Sequence, residues 1–433
     1  MKKISPYIRI VITFAVVILV GTFLLMLPIS STNGHLSFVD ALFMSTSSVC
    51  VTGLTVVPNI KEEITIFGKI VITFLIEIGG LSFITLATFV LTIFGSKINI
   101  TDRYLLKEAL NQNSLKGIIG FVKKIIFFSL AIQAFGVFLN CFALMPYYDG
   151  FWEILGVSIF HTVASFNNSG LDIFGSTSML AFSHDVFLNI NTMLLIILGG
   201  LGFAVLTDII KTRSIRRLNI NSKIVLISTT VLIIGGALFL KIANNNLTFL
   251  QAFFMSITSR TAGFTTVDCA NLNPGEFSII TSLMFIGASP GSTGGGVKTS
   301  TFFVVLLAIL SYGLNKKPTI FKRTIAKDTI MKSFALVTSA IITCTFAVMI
   351  ISIIEPNIEH EKIIFEVVSA FSTTGLSMGI TTSLSNGSLI ILVFMMFFGR
   401  LGPLTIISLI NRNWHINGQN DSIKYVEEKV VIG

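Results

Sequence analysis

Apolar residues run along this chain in long blocks, without the alternation of a half-buried strand or the one-sided spacing of a surface helix. Blocks of about the 20 residues needed to cross a bilayer lie at 10–39, 64–96, 125–148, 186–207, 224–240, 277–315, 333–354 and 384–411. Charge interrupts them only at Lys69 and Glu77 in the second, Lys298 in the sixth and Arg400 in the last. The pattern predicts an all-α membrane protein with eight transmembrane helices. The first block has too long an apolar core for a secretory signal and no small-residue cleavage site, so it is expected to remain as a helix.

Charge placement orients these spans. Of 30 basic residues, 23 fall before the first block, in every second connection (97–124, 211–223, 316–332) and after the last block. The opposite side holds Lys61, Lys69, Lys241 and Lys362. Basic residues mark the cytoplasmic side, so both termini are expected there. Composition agrees: 53% of the 433 residues are hydrophobic, 12% are charged, and the mean hydropathy is +0.86. That is about half the charge of a soluble domain, which excludes ordinary soluble enzymes, disulfide scaffolds and disordered tails. The net charge of +9 is explained by topology and calls for no nucleic acid. Cys50, Cys141, Cys269 and Cys344 have neither metal nor disulfide spacing.

Each outward connection carries a related semi-polar segment. These read FMSTSSVCVTGLTVV at 43–57, FHTVASFNNSGLDIF at 160–174, FFMSITSRTAGFTTV at 253–267 and FEVVSAFSTTGLSMG at 365–379. Aligned on Gly53, Gly170, Gly263 and Gly375, each has a Phe ten residues earlier, at Phe43, Phe160, Phe253 and Phe365. The residue before the glycine is always small: Thr52, Ser169, Ala262 or Thr374. A second glycine follows downstream at Gly79, Gly199, Gly287 and Gly399. The unit is span, short segment, glycine loop, span. Four units are expected, at 1–97, 98–215, 216–318 and 319–411, with a cytoplasmic tail at 412–433, related by pseudo-fourfold symmetry around a central pore.

About a dozen helix-compatible residues precede each glycine. A helix of that length rises about 18 Å and cannot cross about 30 Å of hydrocarbon. It can dip halfway and return as irregular backbone, which is tolerated at membrane depth only when buried in protein or lining a water-filled cavity. Glycine admits positive φ and close approach to a ligand. Inward-facing carbonyls can replace a cation's hydration shell, and the negative ends of four helix dipoles favour a cation on the axis. The candidate ion ligands are the main-chain oxygens of Val51, Thr52, Gly53, Asn168, Ser169, Gly170, Thr261, Ala262, Gly263, Thr373, Thr374 and Gly375.

These loops, with FIGASPGSTGGGVKTSTF at 285–302, resemble the four filter loops and the broken third-repeat helix of the Trk/Ktr/HKT superfamily of potassium transporters. The resemblance covers nearly the whole chain and is strongest to the KtrB branch. It implies a K⁺-translocating subunit that works as a homodimer on a cytosolic ring of nucleotide-binding regulatory subunits (KtrA-like). Gly53 stands where some sodium-preferring relatives carry Ser, which favours K⁺ over Na⁺. Whether Na⁺ is a coupling ion is left open. No cytoplasmic segment is long enough for a nucleotide-binding domain, so no organic cofactor is expected in this chain.

Gly291, Gly294, Gly295 and Gly296 precede Lys298. Val297 spoils the spacing of a phosphate loop, and no strand precedes it. Glycine and proline this dense break a membrane helix; the resemblance makes the break an intramembrane gate. Arg400 stands where the first two units have Gly80 and Gly200. By register it faces the axis below the loops, where its charge opposes an ion; pairing with Glu77 or with helix carbonyls is the structural alternative. Arg260 is expected to brace its loop through carbonyls, and His161, Asn167 and Asn168 to support theirs. Asp172 and Asp268 are candidates for drawing cations to the outer mouth. Two other classes compete. Gly287 to Gly291 fits the G-x-S-x-G nucleophile pattern, but none of the five His residues is well placed as a base. An organic-solute transporter also uses broken helices, yet has no need of four equivalent half-membrane loops.

Overall fold

The computed structural model describes residues 6–93, 116–175 and 177–402, together with 103, 104, 106, 107 and 110. The expected tail at 412–433 lies outside the described residues. Four helices are long and apolar enough to cross a membrane. They are α1 (Pro6–Met26), α6 (Ile118–Leu144), α10 (Ile220–Ala243) and α14 (Lys327–Ile354). Each is followed by a shorter helix: α2 (Phe38–Val49), α7 (Phe151–Phe166), α11 (Phe249–Thr258) and α15 (His360–Ser372). The chain then returns through α4 (Ile66–Leu81), α8 (Val186–Gly200), α12 (Pro274–Phe285) and α16 (Asn386–Leu401).

Local sequence starts these helices where polar side chains can satisfy the free amides of a first turn. The side chains of Ser37, Thr65, Asp185, Thr248, Asn273 and Ser385 each accept a bond from a first-turn N–H. Thr248 with Gln251, and Asn273 with Glu276, complete reciprocal capping boxes.

The returning helices break in different ways. Ser82, at φ 68°, separates α4 from α5 (Phe83–Ile93). Gly202, at φ 90°, separates α8 from α9 (Phe203–Thr212), and the two meet at 95°. The apolar block at 277–315 is interrupted for longer: α12 ends at Phe285, α13 (Thr299–Gly313) begins at Thr299, and 286–298 is irregular. A four-residue helix α3 (Ile60–Glu63) and a hairpin of β1 (Thr319–Ile320) and β2 (Arg323–Thr324) complete the chain. That hairpin corrects the all-α expectation in a minor way: Phe321 and Lys322 both take positive φ and turn the chain back on itself.

Helix contacts close on themselves. Each short helix packs on the long helix before it: α1 on α2, α6 on α7, α10 on α11, α14 on α15. Each returning helix also packs on the next short one: α4 on α7, α8 on α11, α12 on α15, and α16 back on α2. Large apolar side chains cover the outside, including Phe74, Phe127, Phe135, Phe346 and Phe394, all exposed. Ser, Thr and Asn crowd the centre, at Ser45 to Ser48, Ser165 to Ser169 and Ser372 to Thr374. This inversion of the soluble pattern suits a lipid solvent, where small polar residues allow close approach and bond within the bundle.

Candidate functional site

All four glycine loops meet at the centre. Positive φ occurs at Gly53 (102°), Gly170 (70°), Gly263 (87°) and Gly375 (89°). The residue two positions earlier is also left-handed each time: Val51 (52°), Asn168 (58°), Thr261 (72°) and Thr373 (53°). Non-glycine residues rarely adopt this conformation, so four matched examples mark one backbone path used four times.

A Cβ placed on any of these glycines would strike the neighbouring loop. From Gly53 it meets the carbonyl of Ser169; from Gly170, that of Ala262; from Gly263, that of Thr374; from Gly375, that of Thr52. The loops therefore form a closed cycle in which main chain touches main chain. Their amides are tied back to the short helices. Thr52, Ser169 and Thr374 donate to the carbonyls of Ser47, Ala164 and Ser369 at 2.8, 2.8 and 2.9 Å. The amides of Gly53 and Gly375 donate to the hydroxyls of Ser47 and Ser369 at 3.1 and 3.0 Å. The third loop differs, since Ala262 donates to Thr258 at 2.9 Å. Its helix α11 also shifts the buried aromatic by one place: Phe254 is fully buried and Phe253 only partly.

The carbonyls are the reverse case. Among the described residues, no hydrogen bond is accepted by the main-chain oxygen of any residue in Val51–Gly53, Asn168–Gly170, Thr261–Gly263 or Thr373–Gly375. All but Gly375 are buried. Buried carbonyls are normally paired; these four adjoining loops leave twelve main-chain oxygens without a protein donor among the described residues.

Outside the ring lies an open vestibule of about 350 Å³ whose floor includes all four glycines. Asp172 lines it beside Ser178, Ser377 and Thr381. Asp268 does not; its carboxylate is used by the Ala270 amide and the Asn271 side chain. Behind the vestibule wall, the buried Glu366 accepts from Thr381 and Ser377.

Inside the ring lies the 286–298 segment. Thr293 donates to the Phe166 carbonyl at 3.3 Å and the Asn168 side chain at 3.4 Å. The Gly295 amide donates to the Thr373 hydroxyl at 3.0 Å, and Gly294 abuts the Thr261 side chain. The segment thus touches the left-handed residue of three of the four loops. Lys298 folds the segment on itself, donating to the carbonyls of Gly294 (2.6 Å) and Gly295 (3.3 Å). Gly291 and Gly296 take positive φ, both 68°. Arg400 reaches across, donating to the carbonyls of Thr293 and Gly79 and to that of Gly80 at 3.4 Å.

Glu77 is not its partner. That carboxylate accepts from Gln133 at 3.1 Å and Asn167 at 2.7 Å. The role expected of Arg260 is corrected: among the described residues its side chain bonds no carbonyl, its Nε is unpartnered, and it lines a small cavity with Asn168 and Thr229. The third loop is held instead by the Thr258 hydroxyl, which donates to the Phe264 carbonyl at 2.7 Å. His161 supports its loop from the side, bonded to Thr192 at 2.8 Å between the rings of Phe174 and Phe264. Of the second glycines, Gly79, Gly199 and Gly399 leave room only for the end carbonyls of Val49, Phe166 and Phe371. Gly287 faces Gly295 of the irregular segment instead.

A family model described as TrkH, a cation transport protein, matches residues 3–240 and 218–415. The chain belongs to this family. It is 35% identical to Ktr system potassium uptake protein B of Bacillus subtilis, over all of this chain and 97% of that protein. It is 36% identical to the potassium/sodium uptake protein NtpJ of Enterococcus hirae, over 100% of this chain and 98% of the relative. Identity to the Ktr system potassium uptake protein B of Vibrio alginolyticus is also 36%, over 98% and 94%. Its fold is like that of the potassium transporter TrkH from Vibrio parahaemolyticus, with a TM-score of 0.74 at 18% identity, covering 95% of this chain and 86% of that one. Membership in this transporter family removes the hydrolase reading of Ser289, whose hydroxyl accepts from Thr299 at 3.2 Å inside the bundle. The chain is a multi-pass membrane transporter and not an enzyme.

Proposed function

We propose that this chain is the ion-translocating subunit of a Trk/Ktr-type potassium uptake system in a bacterial cytoplasmic membrane. Four helix–pore-loop–helix units, eight spans in all, surround one pseudo-fourfold pathway, and both termini are cytoplasmic. One observation carries the reading: the twelve main-chain carbonyls of the four glycine loops, eleven of them in buried residues, accept no hydrogen bond among the described residues. A dehydrated monovalent cation satisfies them, the carbonyl oxygens replacing its hydration shell. K⁺ is the favoured ion because Gly53 completes a set of four glycines, and because the relatives above carry potassium in their names. Na⁺ remains a second cargo or coupling ion to be tested, as the NtpJ relative is named for both.

Uptake runs down the membrane potential, which supplies about 2.3 kcal/mol per elementary charge at 100 mV. The 286–298 segment lies across the inner side of the ring and closes it, and Arg400 latches that segment while placing a positive charge on the ion's way out. Opening requires the segment to leave Asn168, Thr261 and Thr373. A cytosolic regulatory subunit supplies that displacement, as the word "system" in the relatives' names suggests, and the assembly is a homodimer. The test is Rb⁺ and Na⁺ flux into liposomes holding the purified chain, with and without its regulatory partner. Rb⁺ entry exceeding Na⁺ entry is expected; entry of neither ion under both conditions overturns the reading.

A further inference from the structure

The elbow between α8 and α9 carries two features that ion passage alone does not require. First, α9 leaves the direction of α8 by 95° and leads into a basic cluster of Lys211, Arg213, Arg216, Arg217 and Lys223, the kind of cluster that marks the cytoplasmic side. Second, the elbow is bonded to the 286–298 segment by main chain at three points. Ser289 donates to Gly200 at 3.1 Å, Thr293 to Gly199 at 3.3 Å, and Phe203 to Gly291 at 3.0 Å.

Between α9 and the first turns of α10 lies a groove of about 630 Å³, walled by Ile209, Ile210, Ile215, Leu218 and Leu226, with Arg213 at its edge. Ile215 is 79% exposed. Arg213, Arg216 and Arg217 are all exposed beside it. Lys223 is engaged, donating to the Arg216 carbonyl at 2.7 Å and facing the Phe321 ring. Asp208 is the nearby acid, but it does not line the groove. Its oxygens are used by the Asn219 amide, the Ser222 hydroxyl and the Thr212 hydroxyl, which pins the α9–α10 corner.

Beyond Leu226 of the groove, Ile227, Val231, Ile234 and Leu238 form an exposed apolar stripe along α10, at the spacing of one helical face. A basic rim at headgroup depth, joined to an apolar track entering the hydrocarbon, fits an amphiphile with an anionic head. An acidic protein would satisfy the arginines and leave the track unused.

We propose that this groove binds an anionic glycerophospholipid of the cytoplasmic leaflet. Arg213, Arg216 and Arg217 take its phosphate, and one acyl chain follows the groove onto the α10 stripe. Because the elbow is bonded to the 286–298 segment, an occupied groove fixes α9 and so biases that segment. This consequence rests on the reading of 286–298 as a gate; the binding itself does not.

Native mass spectrometry of the purified full-length chain, offered equal phosphatidylglycerol and phosphatidylcholine, tests the binding. The chain is expected to retain phosphatidylglycerol preferentially. The triple variant R213Q/R216Q/R217Q is expected to lose that preference by on the order of a hundredfold, the sum of three surface-charge contributions. K316Q/K317Q, on another exposed cytoplasmic stretch, is expected to keep it. Equal retention of the two lipids by the unaltered chain, or equal loss in both variants, overturns the site. A triple variant that keeps phosphatidylglycerol but no longer binds a regulatory subunit assigns the surface to a protein and overturns it as well. Rb⁺ flux in vesicles with and without phosphatidylglycerol tests the coupling: dependence on the lipid is expected in the unaltered chain and not in the triple variant. Flux indifferent to the lipid, with binding intact, overturns the coupling. No flux in any lipid, with and without the regulatory partner, overturns the ion-translocation reading and leaves the mass-spectrometric result standing.

Discussion

At the scale of single residues, Arg400 shows how a charge in a membrane segment is accommodated. Among the described residues its guanidinium pairs with no carboxylate; it is spread over carbonyls of α4 and of the 286–298 segment. Sequence register placed it below the loops, but only coordinates reveal that it holds the segment by Thr293. Hydrogen bonds from charged groups contribute about 1.5–3 kcal/mol, so Arg400→Ala is expected to raise unregulated Rb⁺ flux by roughly tenfold to a hundredfold. Liposome flux without the regulatory partner checks this, and unchanged flux removes both latch and barrier. Thr373→Val asks a narrower question at the same place. It keeps shape and main chain while deleting the hydroxyl that accepts from Gly295. One neutral bond is about 1 kcal/mol, so flux should rise about fivefold with the Rb⁺ to Na⁺ ratio unchanged. A changed ratio would mean that the side chain, and not only the main chain, touches the ion. Neither Thr373 as a docking point nor Glu77 as the anchor of Asn167 was legible in the sequence. An isolated acid in an apolar block marks a polar partner without saying which one.

Elements were more legible than their breaks. Apolar block length located the long helices, and glycine spacing located the short ones, because both patterns record local physics: hydrocarbon thickness and the backbone freedom of a turn. The 95° elbow at Gly202 was not foreseen, since GGLGF at 199–203 reads like GGLSF at 79–83. What distinguishes it is a tertiary contact: a Cβ on Gly202 would strike the Pro290 carbonyl. Ties between elements outside the bilayer are similarly hidden. Glu355, at the end of α14, accepts from the Ser385 amide at 2.9 Å and the Ser388 hydroxyl at 2.8 Å, which fixes the start of α16. Bonds from the side chain and amide of Ser385, then from Ser388, hold the Glu355 pKa below the usual carboxylate value. A depressed pKa adds stability above the unfolded value, about 4.3, and loses it as pH falls through the folded one. Glu355→Gln should therefore lower the melting temperature of the purified protein at neutral pH. The gap should narrow below about pH 4, and a gap constant across that window would rule out the ionised carboxylate as its source.

The whole molecule adds the cycle. Sequence alignment suggested four related loops, but nothing in it fixes their order around an axis or their contact; that follows from each returning helix packing on the next short helix until α16 meets α2. The cycle makes a prediction that one loop alone cannot. Since each glycine abuts the carbonyl preceding the next glycine, a side chain at any of the four pushes on a neighbouring loop's carbonyl, which is an ion ligand on the proposed reading. Left-handed backbone costs an L-residue roughly 1–2 kcal/mol, before the collision is relieved. Gly53→Ala, Gly170→Ala, Gly263→Ala and Gly375→Ala should therefore each lower Rb⁺ flux and narrow its margin over Na⁺, while detergent-solubilised protein stays folded. Pairs of substitutions at neighbours in the cycle should couple, because they press on a shared carbonyl. The opposite pairs, Gly53 with Gly263 and Gly170 with Gly375, should come closer to additivity, since neither glycine of such a pair abuts the other's loop. If one glycine alone governed the Rb⁺ to Na⁺ ratio and the other three were silent, the ion would be read by a single loop. The four-sided ring of carbonyls would then have to be abandoned as its binding site.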